Sequence, residues 1–134
     1  MQIASFDDLL QAARSQPEQQ RLLFVFATAE LPDDATPEQR QHFAAGQGGA
    51  LVPLMYSDKL PSELTSFDAL VQESLQFGHE WQMVFAAALP GTAQAAPSSE
   101  DAEAPLQRMV EDIKRGAHGA FIPFSRQGEP VQLG

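Results

Sequence analysis

The sequence predicts a single α/β domain, residues 1–134, in which two pseudo-symmetric helix–strand–helix–strand repeats form a four- or five-stranded sheet covered by helices. Three observations support this fold class. The chain has 134 residues and is 43% hydrophobic, which suits one domain with one core. Similar segments recur in the same order in both halves, and strand-length apolar runs alternate with stripes at helical spacing.

The internal repeat relates residues of about 5–64 to residues of about 66–134. Its matching segments keep the same order along the chain, which chance similarity rarely produces. The pairs are 5–11 with 66–72, 25–27 with 84–86, 31–32 with 89–90, 46–53 with 116–123, and 61–64 with 130–133. Each repeat therefore supplies two helices and two strands.

The first helix of each repeat is marked by apolar residues on one face. The stripe residues, three and four positions apart, are Phe6, Leu9, Leu10 and Ala13 in one repeat, and Phe67, Leu70 and Val71 in the other. Ser5 and Ser66 precede these stripes and are the expected N-caps.

The strands differ in their apolar content and in their prolines. Residues 22–28 and 82–88 are near-continuous apolar runs, typical of central strands. Residues 50–56 and 120–126 contain Pro53 and Pro123, which predicts edge or bulged strands. We expect βαβ-like halves with right-handed crossovers and a strand order of roughly 2-1-3-4. A last hairpin arm at 131–133 is expected after a turn at Gln127 and Gly128.

The second helix of the first repeat has a complete start signal: Thr36 as N-cap, Pro37 in the first position and Gln39 closing a capping box. We expect it to end at Gly46. Its counterpart is expected to run from near Pro105 to Gly116. The Ala-, Ser-, Pro- and Thr-rich segment 91–104 before it is predicted to be a loop, either simply mobile or a lid.

Composition excludes several classes of function. The net charge of −10 disfavours nucleic acid and anionic membranes as partners, and no apolar run approaches the ~20 residues of a membrane span. The acidity fits either solubility alone or a basic protein partner or cationic ligand. The chain has no cysteine and no basic residue in its first ten positions, so we expect a cytoplasmic protein.

No motif calls for a cofactor or a metal. The acidic residues after the first strand, Glu30, Asp33 and Asp34, are candidate ligand-binding residues at a strand end. They also fit the simpler role of complementing the dipole of the next helix. No catalytic residue is predicted. Four aromatic residues are candidate interface residues, or else parts of the core: Phe43, Tyr56, Phe77 and Trp81.

Four stretches of the sequence together resemble one family of small proteobacterial proteins. They are 5–11, 22–27, 30–40 and 99–110, and the likeness covers nearly the whole chain. Some members of that family carry the name "ribonucleotide reductase subunit alpha". Catalytic subunits of that enzyme class use cysteines, which this chain lacks, so the resemblance implies at most an accessory role and a bacterial, cytoplasmic origin.

Three hypotheses for function remain open. The first is a non-enzymatic domain that binds or regulates a protein, as a hetero-complex or a homodimer. The second is a small-molecule binder or minor enzyme with a site between the two repeats, near Glu30, Asp33 and the 91–104 segment. The third is the accessory role that the resemblance implies.

Overall fold

The computed structural model describes residues 5–30, 34–44, 50–64, 66–78, 80–117 and 119–131, without the side chains of 42–44 and 50. The helices and strands alternate as predicted. In chain order they are α1 (Phe6–Arg14), β1 (Gln20–Glu30), α2 (Pro37–Ala44), β2 (Ala50–Lys59), α3 (Phe67–Leu75), β3 (Met83–Pro90), α4 (Ser99–Lys114) and β4 (Ile122–Ser125), with a 3-10 turn at Pro61–Glu63. The order helix–strand–helix–strand thus occurs twice, whereas the symmetry between the two copies stays a prediction.

The helix starts follow the predicted capping signals. Ser5 Oγ accepts the Asp8 N–H, and Ser66 Oγ accepts the Ala69 N–H. The N–H of Gln39 donates to Thr36 Oγ1 at 3.2 Å, and the Gln39 side chain accepts the Thr36 N–H at 2.9 Å, which completes the capping box. These bonds satisfy N–H groups that a helix start leaves without intrahelical partners. Gly46, the expected end of α2, lies outside the described residues.

The sheet has four strands in the order β2-β1-β3-β4, as predicted. All neighbouring pairs are antiparallel, so the expectation of βαβ-like halves is wrong. β1 ends at Glu30, opposite Ala50 at the start of β2, and the chain therefore leaves and re-enters the sheet at the same end. A helix that connects two parallel strands must pack an apolar stripe on a face of the sheet. α2 lacks such a stripe, and residues 36–41 are exposed, so α2 does not serve as a crossover helix.

Both proline strands lie at the edges of the ladder, as predicted. β2 is bulged where Pro53 pairs with Ala27. Beyond β4, Pro130 forms a bridge with Phe124, and the carbonyl oxygen of Pro123 accepts the Val131 N–H. Because the N–H and C=O of one residue in an antiparallel strand point the same way, the nitrogen of Pro123 faces away from β3 and removes no ladder bond. The predicted hairpin arm thus begins at 130–131, and 132–133 lie outside the described residues.

The core has a layer on each face of the sheet. On the first face, α1 and α3 bury their stripes against Leu22, Phe24 and Phe26. On the second face, α4 buries a stripe of its own against Leu23 and Val25, lying over β1 and β2. No helix in the described ranges is long and apolar enough to cross a membrane.

The start of α4 corrects a predicted boundary. The helix begins at Ser99 instead of near Pro105, because Ser98 and Asp101 form a capping box ahead of the proline. The last six residues of the predicted 91–104 loop, 99–104, are therefore helical. The remaining loop, 91–98, is hydrogen-bonded to the residue before β1: Gly91 N–H donates to the Gln19 carbonyl at 2.8 Å, and Gln19 N–H to the Thr92 carbonyl at 2.8 Å.

Candidate functional site

The four aromatic residues predicted at an interface lie in different environments. Tyr56 is 48% exposed and Phe77 is 63% exposed, and only Leu75, at 43%, joins them as a large exposed apolar residue in the described part of the chain. Trp81 is buried, with 1% of its surface exposed. The side chain of Phe43 lies outside the described residues.

Trp81 completes the core on the first face instead of reaching the surface. Its Nε1–H donates to Ser74 Oγ at 2.8 Å, and its ring packs edge-on against Phe26 at a centroid distance of 5.0 Å. The guanidinium of Arg126 lies 5.1 Å from the ring centroid. A tryptophan can be buried at low cost when its N–H finds an acceptor, and Ser74, itself buried, supplies one.

The outer side of β2 carries backbone groups that no described strand pairs with. The carbonyl of Ala27 points toward β3, because it accepts the N–H of Gln82. Backbone groups of alternate residues in a strand point to the same side, so the N–H and C=O groups of the odd-numbered residues of β1 point toward β3 and those of the even-numbered residues point toward β2. The partners of the odd-numbered residues on β2, which include Tyr56 opposite Val25 and Asp58 opposite Leu23, occupy non-hydrogen-bonded positions. The N–H and C=O groups of Tyr56 and Asp58 therefore point outward, whereas those of Ser57 point toward Phe24.

This outward segment, residues 56–58, is called the open edge below. The other half of β2 is a poorer template for a further strand, because it contains the bulge and Pro53, which has no N–H to donate. The open edge is thus the part of β2 that combines regular pairing with β1 and outward donors and acceptors.

One exposed aromatic ring stands on each side of the open edge. Tyr56 shares the second face with Val25, and its hydroxyl oxygen accepts a long hydrogen bond of 3.4 Å from Gln107 Nε2 of α4. Phe77, just past α3, lines a narrow crevice on the first face together with Met55 and Ser57. The open edge is therefore flanked by apolar surface above and below the sheet.

The stretch of sequence that contains α3 is acidic. It has no lysine or arginine between Lys59 and Arg108, and Glu63, Asp68 and Glu80 are exposed in it. Lys59 Nζ contacts Glu73 Oε1 at 2.7 Å, so this cation and a carboxylate that lines the Phe77 crevice neutralise each other. Cations from elsewhere in the chain also lie near this stretch: the Arg14 guanidinium donates to the carbonyls of Pro61 and Leu64, and the Arg126 guanidinium lies over the Trp81 ring.

Of the predicted acidic ligand-binding residues, Glu30 lies far from the 91–98 loop. Glu30 is at the far end of β1, opposite Ala50, whereas the loop is bonded to Gln19 at the beginning of the strand. An eleven-residue strand separates its two ends by about 33 Å. Glu30 and Asp34 are exposed, and Asp33 lies outside the described residues. Glu30 and the 91–98 loop therefore do not belong to one site, while a ligand role for Glu30, Asp33 and Asp34 stays a prediction.

The boundary between the two halves is filled by the core. Eight residue pairs join β1 to β3, and the side chains of the central pairs are buried on both faces. A surface depression of about 380 Å³ does lie beside the 91–98 loop, at the end of β3. Within the described residues, no group of three histidine or acidic side chains could hold a metal ion.

A polar cluster that was not predicted from the sequence holds the start of α4 against the sheet. Arg21 Nη1 contacts Asp58 Oδ2 at 2.6 Å, with side chains only 12% and 18% exposed. Arg21 Nε donates to the carbonyl of Pro97 at 2.6 Å, and the Ser99 hydroxyl donates to Asp58. Arg21 and Asp58 are far apart in the sequence, and only the pairing of β1 with β2 brings them together. The cluster holds Asp58, a member of the open edge, in a fixed position.

The capping box of α4 makes a prediction for pH. The backbone N–H of Ser98 donates to Asp101 Oδ2 at 3.0 Å, and this bond, followed by hydrogen bonding with the Ser98 side chain, holds the pKa of Asp101 below its ordinary value of 3.8. Because the pKa is lower in the folded state, the stabilisation is present above about pH 3.8 and is lost as the pH falls through the folded pKa. We expect a carboxyl NMR titration to show a midpoint for Asp101 below 3.8.

The matched variants for this titration are Ser98→Ala and Asp101→Asn. Ser98→Ala removes the side-chain bond but keeps the backbone donor, so the midpoint should rise only part of the way toward 3.8. Asp101→Asn should remove the transition and identify it. A midpoint at or above 3.8 in the unmodified chain would contradict the capping-box geometry.

No family model, no curated protein and no solved structure matches this chain. The family resemblance stated from the sequence therefore stays a prediction.

Proposed function

We propose that this chain is a protein-binding domain whose interface is the open edge of β2 with Tyr56 and Phe77. The observation that carries the proposal is the placement of two exposed aromatic rings on opposite sides of a strand segment whose outer side pairs with no strand of the described residues. Exposed apolar side chains next to unpaired backbone groups favour association, and aromatic residues are enriched at interfaces.

A hetero-partner is favoured over a second copy of the chain. Each copy carries a net charge of −10, so two copies repel each other on approach. A partner with a basic surface instead gains from the same charges.

The test is site-specific photo-crosslinking in the cells that natively express the chain. A photoreactive phenylalanine analogue is placed at position 56 or 77, and a control chain carries it at position 11, an exposed residue of α1. We expect the same partner to be cross-linked from positions 56 and 77 and not from position 11. Identification of the adduct by mass spectrometry also tests the predicted accessory role, since a reductase subunit would then be the captured partner.

Two results would reject the proposal. Absence of adducts at positions 56 and 77, at expression levels that give a folded chain, would mean that this surface binds no protein. Equal capture from position 11 would mean that the contacts are nonspecific.

A further inference from the structure

We infer that the open edge binds an extended, lysine- or arginine-containing segment of a partner protein, which adds to the sheet as a fifth strand beside β2. This inference rests on the proposed protein-binding function and specifies the chemistry of the partner. It needs three properties: backbone groups of the open edge that point outward in strand geometry and pair with no described strand, apolar contacts for alternate side chains, and a charge that selects the segment.

The hydrogen-bonding groups are those of Tyr56 and Asp58. Each residue directs one N–H and one C=O outward, so an added strand can form four backbone bonds along 56–58. The edge is rigid there, because Ser57 pairs with Phe24 on the inner side and Arg21 holds the Asp58 carboxylate. A preformed edge lowers the entropy that a binding segment must lose in the complex.

The two rings favour a segment whose successive side chains point to opposite faces of the sheet. Successive side chains of a strand point to opposite faces, so neighbouring residues of the segment meet Phe77 on the first face and Tyr56 on the second. One set of alternate side chains on the segment therefore packs against each ring. This arrangement recognises an extended conformation rather than a helix.

The charge of the chain selects basic residues. The net charge is −10, and the stretch between Lys59 and Arg108, which contains α3 and Phe77, has no lysine or arginine. A basic segment is therefore attracted to the chain, and an acidic segment is repelled. The aliphatic stems of lysine or arginine side chains on the Phe77 side of the segment can lie on the ring.

The probe is an N-acetylated hexapeptide of alternating lysine and valine, titrated into the isotopically labelled chain at low ionic strength. We expect saturable binding and slower amide hydrogen exchange at Tyr56 and Asp58. Exchange at Ser57 should change little, because its N–H is already bonded to β1. Ser57 is thus an internal control between the two reporting amides.

Matched peptides and variants separate the contributions. A glutamate–valine peptide, and a lysine–valine peptide N-methylated on the amides that face the edge, should each bind at least about tenfold more weakly. Tyr56→Ala and Phe77→Ala should each weaken binding by about five- to tenfold, whereas Gln11→Ala, on the exposed side of α1, should leave it unchanged.

The outcomes distinguish this inference from the proposed function. Specific cross-links from positions 56 and 77, combined with unprotected Tyr56 and Asp58 amides in the peptide titration, would overturn strand addition and keep protein binding. Equal affinity for the glutamate peptide, or no binding of the lysine peptide, would overturn the basic segment. Self-association of the unliganded chain with protection of the same two amides would assign the edge to a second copy and overturn the inference as well.

Discussion

Gly128→Ala is expected to lower the free energy of unfolding by about 2 to 4 kcal/mol. Gly128 has φ of +80°, a conformation that costs an alanine roughly 1–2 kcal/mol. A Cβ there would lie 3.1 Å from Cδ2 and 3.2 Å from Cγ of Phe67, closer than a well-packed core tolerates. The backbone cannot easily move away, because the Gly128 carbonyl accepts the Phe6 N–H and its N–H donates to Ser125.

Gly116→Ala is the matched control for this prediction. Gly116 has the same φ of +80°, but no atom of the described residues lies within 4 Å of its would-be Cβ. The free energy of unfolding of Gly116→Ala should therefore fall only by the cost of placing an alanine at positive φ, about 1 to 2 kcal/mol. Urea unfolding of both variants measures the difference, which isolates the contact with Phe67. Equal destabilisation of the two variants would show that the turn at 127–128 does not press against α3.

The parts of the fold that the sequence predicts correctly depend on short-range signals. The Ser5 and Ser66 caps and the Thr36–Gln39 box need only residues within one helical turn. Pro53 and Pro123 indicated the edge strands because a proline removes a donor wherever it stands. Strand order followed from the same reasoning, since two apolar strands and two proline strands leave few arrangements.

The parts that the sequence predicts poorly depend on contacts between distant residues. β2 is antiparallel to β1 because the chain re-enters the sheet at the end where β1 leaves it, and only the pairing of Glu30 with Ala50 shows at which end it re-enters. Proline at 105 suggested a helix start, but the Ser98–Asp101 box begins the helix one and a half turns earlier. Trp81 is buried because Ser74 accepts its N–H, a pairing that no spacing in the sequence indicates.

In the candidate site too, the features that depend on local sequence were predicted and those that depend on contacts between distant residues were not. The exposure of Tyr56 and Phe77 agrees with the sequence-based expectation for two of the four aromatic residues. Their placement on opposite faces of one strand edge required the register of β1 with β2, including the bulge, since a shift by one residue exchanges the faces. The exposure of Leu75 was not predicted: it lies four positions after the half-buried Val71, at the margin of the stripe, whereas the buried stripe continues through Ser74.

Phe6→Ala is expected to have the largest effect of any single change considered, about 3 to 5 kcal/mol. Phe6 is 1% exposed and contacts three other rings, with centroid distances of 5.8 Å to Phe24, 4.8 Å to Phe67 and 5.4 Å to Phe124. These rings belong to β1, α3 and β4, so the cavity would open where three elements meet. Rigid strands on one side limit the collapse that would fill it.

Phe77→Ala is the matched control, because it removes the same side chain from an exposed position. Its free energy of unfolding should stay within about 0.5 kcal/mol of the unmodified chain. Chemical denaturation of both variants tests the contrast. A large loss from Phe77→Ala would mean that the ring belongs to the core, and the argument for it as a binding residue would fail with it. A small loss from Phe6→Ala would contradict the aromatic cluster that joins α1 to the sheet.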